Sequence, residues 1–368
     1  MAGLQGDGFK SIYSNFGVGL GIGNFSQPGP FIVKYTQNID MSPTVGLVMG
    51  ANSFLTESSF GGFDEMKEAV SILNAEGVKN IDSAAIHGVH EDIMAKLEIA
   101  KTFEIDSKWS GAVMPAPSTK EAIIASAEAS LKRLEADQFD VYCLHAPDRR
   151  APFEIQLDAI NTLYQEGKIK RFGISNAFGH EVEEMVRIAK ENNWVAPSVY
   201  QGNYSAVARR PEKELFPILR KHGITFYAYS PIAGGFLAKE VEQFENGPTG
   251  TGRWDPTTFV GGVYHSLYNR PAIVEGLRQW TAISKESGIP KAELAYRWVV
   301  YNSALRGENG DKILIGPQDL KQLNEILAFV KKGPLDEQVV EKIDEVWKVA
   351  EKDAPLDTWN DAMAKNFE

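Results

Sequence analysis

Cysteine is nearly absent from this chain: its 368 residues carry one, Cys143. That excludes an internal disulfide framework and any zinc site built from cysteines, and it fits a reducing compartment, so the cytosol is the expected location. Basic charge is in deficit, with 49 acidic against 38 basic side chains and a formal net charge of −11. No run of Lys or Arg resembles a stripe that tracks phosphates, so nucleic acid and anionic membrane are not expected partners. No apolar stretch approaches the roughly 18 residues that span a bilayer. Residues 9–25 are apolar, but glycines interrupt them and no basic cluster precedes them, so a signal peptide is not expected. The run Gly17 to Gly23 lacks the GxGxxG spacing, and no GxSxG elbow of a serine hydrolase occurs. Residues 1–41 therefore read as an N-terminal extension of unknown role.

What is present has the composition of an ordinary globular protein, 43% hydrophobic and 24% charged. Short runs rich in β-branched residues fall at 44–49, 80–84, 103–109, 139–147, 170–176, 197–204, 224–231 and 312–318, which predicts eight strands. Amphipathic helical patterns lie between them, among them 119–136, 154–168, 180–193 and 212–223, each closing on a stop signal. Strict alternation makes the strands parallel, and eight such units close most economically as a (β/α)8 TIM barrel over residues 42–368. A doubly wound open sheet is the competitor, and it lacks its phosphate fingerprint after the first strand.

In such a barrel the chemistry sits where strands end and βα loops begin. The predicted strand ends deliver Asp82, Lys108, His145, Ser175, Asn176, Gln201, Tyr229 and Ser230 to one rim. A single charge at a strand end is usually where the chain meets water. A lysine, an aspartate and a histidine converging with amides and hydroxyls point instead to proton transfer and carbonyl polarisation. Two other constellations are weaker. His87, His90 and Glu91 have the spacing of a metal cluster but no third histidine, and His90-Glu91 reads better as the opening of a helix, so no metal is expected. Cys143 and His145, two apart, invite a thiol-imidazole nucleophile, whereas a cysteine on an inner barrel strand is usually a small filler.

The motifs 82–88 (DSAAIHG), 107–109 (SKW), 139–148 (FDVYCLHAPD), 168–176 (KIKRFGISN), 200–209 (YQGNYSAVAR), 227–237 (YAYSPIAGGFL) and 313–323 (ILIGPQDLKQL) resemble the aldo-keto reductases, most of all their aflatoxin-aldehyde reductase branch, over roughly residues 42–350. The resemblance implies an NAD(P)H-dependent oxidoreductase that reduces an aldehyde or ketone, with NADP as cofactor, NAD the other candidate, and a small-molecule carbonyl compound of secondary metabolism as substrate. It implies that Asp82, Lys108 and His145 stand at three of four catalytic positions. His87 stands at the fourth, where the family has its proton-donating tyrosine. Ser175, Asn176 and Gln201 match the groups that hold the nicotinamide carboxamide, Tyr229 the residue packed on its ring, and Ser230, Gly234 and Leu237 the loop along the pyrophosphate. Gln318 and Gln322 fall at the adenine-ribose end, where Asp319 and Ile326 replace residues suited to a phosphate and Lys321 stands nearby. The segment 239–271 is expected to be a loop over the mouth, with Arg253 and Trp254 as substrate contacts beside Phe259, Tyr264 and Tyr268.

A phenol, with an ordinary pKa near 10, is fully protonated at neutral pH, whereas imidazole, near 6.5, is mostly neutral and a weak acid in that form. His87 is thus expected to weaken or redirect reduction rather than abolish it. Two alternatives remain open at this point: a non-redox isomerase, dehydratase or cyclase on the same barrel, and a cofactor-binding subunit without turnover. A monomer or homodimer is expected.

Overall fold

The structure is a computed structural model, and the residues it describes are 44–56, 58–85, 90–245 and 250–364. The N-terminal extension and His87 lie outside the described residues. Eight strands form one closed parallel barrel in sequence order: β1 Gly46–Gly50, β2 Asn80–Asp82, β3 Glu104–Trp109, β4 Phe139–Leu144, β5 Ile169–Ser175, β6 Pro197–Asn203, β7 Thr225–Tyr229 and β8 Lys312–Ile315. Parallel pairing of β1 with β8, from Gly46 opposite Lys312 to Met49 opposite Ile315, closes the ring. Closure leaves no unpaired strand edge and excludes the open sheet. All eight expected strands are present, most of them shorter than the apolar runs because the polar tail of each run is already loop.

Alternate strand residues divide the core into two parts. Outward-facing Ile81, Ile105, Trp109, Phe172 and Tyr200 meet the surrounding helices in one continuous apolar layer. Inward-facing Val48, Val141, Cys143, Val199 and Tyr227 form a separate inner cluster. Gly173 of β5 is required there, because a Cβ on it would lie 2.2 Å from Cys143 Sγ and 2.7 Å from Val141 Cγ1. Cys143 is thus a filler, 2% exposed, and burial pushes its thiol well above the ordinary range. That removes the thiol-imidazole nucleophile.

The helices follow their apolar periodicity. Lys120–Leu134 starts at Thr119, whose side chain accepts from the Ala122 amide at 3.2 Å, and buries Ile123, Ala127, Leu131 and Leu134. Gly179–Glu191 buries Val182, Met185, Ile188 and Ala189; each large apolar side chain so buried contributes about 1.5–3 kcal/mol. Two expectations are corrected. The helix expected over 212–223 is split into Pro211–Glu214 and Phe216–Lys221, because Pro217 has no amide proton and its ring obstructs the preceding turn. The loop expected over 239–271 contains helices at Glu242–Glu245 and Phe259–Tyr268, the second capped by Thr258, whose side chain accepts from the Gly261 amide at 3.0 Å. No helix among the described residues is long and apolar enough to cross a membrane.

Candidate active site

Asp82 is the last residue of β2 and Lys108 the fifth of β3, and strand parity turns both into the barrel. Lys108 Nζ donates to both carboxylate oxygens of Asp82, at 2.6 Å each, and to the Ser83 carbonyl at 2.8 Å. All three ammonium protons are therefore fixed. Gln201 of β6 reaches across the barrel and donates to Asp82 Oδ1 at 3.0 Å. The lysine side chain is 3% exposed and that of the aspartate 10%. Removing either partner would leave a buried charge uncompensated.

His145 follows β4 at the same rim. Its amide donates to the Trp109 carbonyl at 2.9 Å, which ties it to the strand that carries Lys108. Its own carbonyl accepts from Asn176 Nδ2 at 2.8 Å. Asn176 adopts φ 55°, a left-handed conformation that asparagine tolerates better than most residues, and its Nδ2 lies 3.1 Å from Ser175 Oγ. The Tyr229 hydroxyl donates to Asn176 Oδ1 at 2.8 Å, and burial pushes that phenol well above its ordinary range. Asp82, Lys108, His145, Ser175, Asn176, Gln201 and Tyr229 therefore share one rim. The neutral amides and hydroxyl of Ser175, Asn176 and Gln201 suit an uncharged carboxamide better than a charged group.

A segment that the sequence reading missed also reaches this rim. The Thr358 amide donates to the Tyr229 hydroxyl at 3.0 Å, and Asn360 Nδ2 donates to the Asn176 carbonyl at 3.0 Å. Asp357 holds Asn360 in place, accepting from its amide at 2.6 Å and its side chain at 2.7 Å. Burial pushes the Asp357 carboxyl up to about 6, against those two hydrogen bonds.

The loop after β7 takes positive φ values at Ser230 and then at Ala233, Gly234 and Gly235. Gly234 is needed because a Cβ there would lie 2.0 Å from the Tyr264 ring. Leu237 is fully buried. Trp254, expected to face substrate, is 3% exposed and donates from Nε1 to the Gly234 carbonyl at 2.9 Å, so its polar atom serves the loop. Arg253 lies over the Tyr264 ring at 5.6 Å, and Phe259 is exposed. At the far end of the barrel mouth, Asp319 caps the helix Leu320–Val330, accepting from the Gln322 amide at 2.7 Å, while Gln322 Oε1 accepts from the Gln318 amide at 3.2 Å. Gln318 and Gln322 are thus both engaged in the cap, and Ile326 is buried. His90 opens the helix His90–Lys96 and pairs with Ser83 Oγ at 2.7 Å, and Glu91 is bound by Arg133, so neither is arranged for a metal. Among the described residues no group of three or more metal-ligating side chains occurs.

Residues 46–348 match the model of the Aldo/keto reductase family. The chain is 34% identical over 294 residues to "Oxidoreductase sirO" of Leptosphaeria maculans, covering 79% of this chain and 88% of that protein. It is 34% identical over 288 residues to an aldo-keto reductase of Pseudocercospora fijiensis, covering 75% and 95%. To "Aflatoxin B1 aldehyde reductase member 4" of Homo sapiens it is 36% identical over 240 residues, covering 64% and 72%. With a closed eight-stranded barrel carrying a buried Lys-Asp pair on its rim, the chain belongs to the aldo/keto reductase family and is an NAD(P)H-dependent oxidoreductase of small carbonyl compounds.

Proposed function

We propose that Asp82, Lys108 and His145, with His87, form the catalytic set of a carbonyl reductase. The observation that carries this reading is the Lys108 ammonium, fixed by Asp82 and Ser83 inside the rim and backed by Gln201. A fixed positive charge beside a carbonyl oxygen stabilises the alkoxide that develops there during reduction, and it acts most strongly where water is excluded. Ser175, Asn176 and Gln201 would hold the nicotinamide carboxamide, and Tyr229 would pack on its ring. When bound, the nicotinamide supplies the hydride. Proton delivery falls to position 87, through a ring N–H of His87.

NADPH is the proposed cofactor, with a smaller advantage over NADH than is usual in the family. Asp319 puts a carboxylate at the helix N-terminus where a ribose phosphate would otherwise be attracted, and Lys321 is the compensating cation in its neighbourhood. The relatives named for aflatoxin B1 aldehyde support a substrate of similar kind, a bulky aldehyde or ketone of secondary metabolism. The single buried cysteine supports a cytosolic setting. The barrel is proposed to occupy residues 42–368, with residues 1–41 as an extension.

The test is His87→Tyr, with oxidation of NADPH and NADH monitored against a panel of aldehydes. General acid catalysis is worth about 10²- to 10⁴-fold, so a site otherwise prepared for a phenol should show a clear gain. A fall in activity would assign the histidine to chemistry of this protein's own. Unchanged activity in both His87→Tyr and His87→Ala would remove position 87 from the mechanism.

A further inference from the structure

Asp106 lies two residues before Lys108 on β3 and points, like it, into the barrel. Strand register sets it opposite Asp82 of β2, about 5 Å away at the backbone, and opposite Val141 of β4. It is 2% exposed. Its side chain makes one hydrogen bond among the described residues, a long one accepted by Oδ1 from Asn80 Nδ2 at 3.4 Å, while Oδ2 is enclosed without a partner.

No cation donates a hydrogen bond to it among the described residues. Lys108 spends its three protons on Asp82 and Ser83. Arg171 of β5 donates to Asp140 Oδ2 at 2.5 Å and to the Tyr227 hydroxyl of β7 at 3.0 Å. Lys312 of β8 donates to Asn80 Oδ1 at 2.6 Å, and burial pushes its ammonium below the usual range. The titratable groups facing Asp106 are therefore Asp82 of β2, Asp140 and Cys143 of β4, Arg171, Tyr227 and Lys312, with Lys108 on its own strand. Burial and the flanking Asp82 and Asp140 carboxylates push the Asp106 carboxyl well above the ordinary range, against weaker pulls from Arg171 and Lys312. Ionised, Asp106 would be the third carboxylate of this interior group and the one to which no cation donates a hydrogen bond.

We propose that Asp106 is a positioning residue for the Lys108–Asp82 pair, seated beneath it as an uncharged carboxylic acid whose ionisation switches the reductase off. The inference rests on the proposed role of Lys108. Its logic is electrostatic. Reduction places negative charge on the carbonyl oxygen next to Lys108, and a second interior anion beside Asp82 would oppose that charge while holding the ammonium more tightly in the barrel. The reacting oxygen lies beyond the Lys108 ammonium, on the order of 10 Å from Asp106, where at an effective dielectric near 20 one unit charge is worth on the order of 10-fold in rate.

The experiment combines infrared spectroscopy with pH-rate profiles on the full chain. In protein carrying ¹³C-labelled aspartate, the carbonyl-stretching band of a protonated carboxylic acid should persist above neutral pH, where Asp357 has already ionised, and should vanish in Asp106→Asn. Reduction of an aromatic aldehyde by NADPH should fall on the order of 10-fold as that band titrates. Asp106→Asn and Asp106→Ala, both uncharged at every pH, should abolish this alkaline loss. Absence of a protonated aspartate band above neutral pH in the wild type overturns the inference without needing any variant to fold. A pH profile unchanged in Asp106→Asn overturns it as well. If Lys108→Met retained full turnover, the reading of the site would fail instead, whatever the band showed.

Discussion

At the C-terminal end of the barrel, Lys108 is held by Asp82 of β2 and the turn after β2, with Gln201 of β6 donating to Asp82, and these stand beside loops. At the N-terminal end, Lys312, Asn80, Asp140, Arg171 and Tyr227 form a comparable polar cluster from five different strands. Both ends are charged, buried and internally hydrogen-bonded, so polarity alone does not distinguish a reacting site from a structural plug. The difference lies in what surrounds each. The upper cluster adjoins neutral amides, hydroxyls and a tyrosine suited to a carboxamide, whereas the lower one pairs charge with charge. Function in this barrel type belongs to the C-terminal face and stability to the other.

The sharpest way to break that comparison is Lys108→Met, expected to lower aldehyde reduction by about 10²- to 10⁴-fold in steady-state assays. The variant also strands the Asp82 carboxylate and should lose stability, so turnover is read per folded molecule, and full turnover per folded molecule would make the upper cluster another plug. Arg171→Leu should do the reverse. It leaves Asp140 with Asn80 as its partner and should lower the unfolding free energy, measured in denaturant, by about 3–4 kcal/mol, toward the low side because a third of the arginine side chain stays exposed. Turnover at neutral pH should change far less.

Asp357 sharpens the comparison at the upper end. Its carboxyl stands at about 6 in the folded chain against 3.8 ordinarily, so the fold favours the protonated form. The stability it contributes is complete below about pH 4 and is lost as pH rises through about 6, at most about 3 kcal/mol. Denaturant unfolding of the wild type relative to Asp357→Asn should show that loss between acid and neutral pH. The smallest effect is expected from Tyr229→Phe, which deletes the hydroxyl between Asn176 and Thr358 and should cost about 1 kcal/mol in the same measurement.

The contrast also explains what the sequence could and could not reveal. Strand runs and the rim residues at their ends are local patterns, each set by neighbours within a few positions, and they read directly. Asp106 was half legible: strand parity turns it inward with Lys108, but the absence of a cation hydrogen-bonded to it depends on where Arg171 and Lys312 point, on strands far along the chain. The segment at 357–360 was not legible at all. Thr358 meets a partner 129 positions away and Asn360 one 184 positions away, and no periodicity in the segment announces either contact. Trp254 looked like a substrate contact because aromatic residues in a covering loop often are, and its neighbours instead draw it into the packing of the loop.

Cys143 offers a handle on the whole barrel. It is the chain's one thiol, sealed behind Gly173 with its proton held firmly, so an alkylating reagent cannot meet a thiolate while β4 and β5 stay paired. Its labelling rate would then clock the opening of the barrel, residue by name, in a protein that needs no engineered probe and carries no second site to confuse the count.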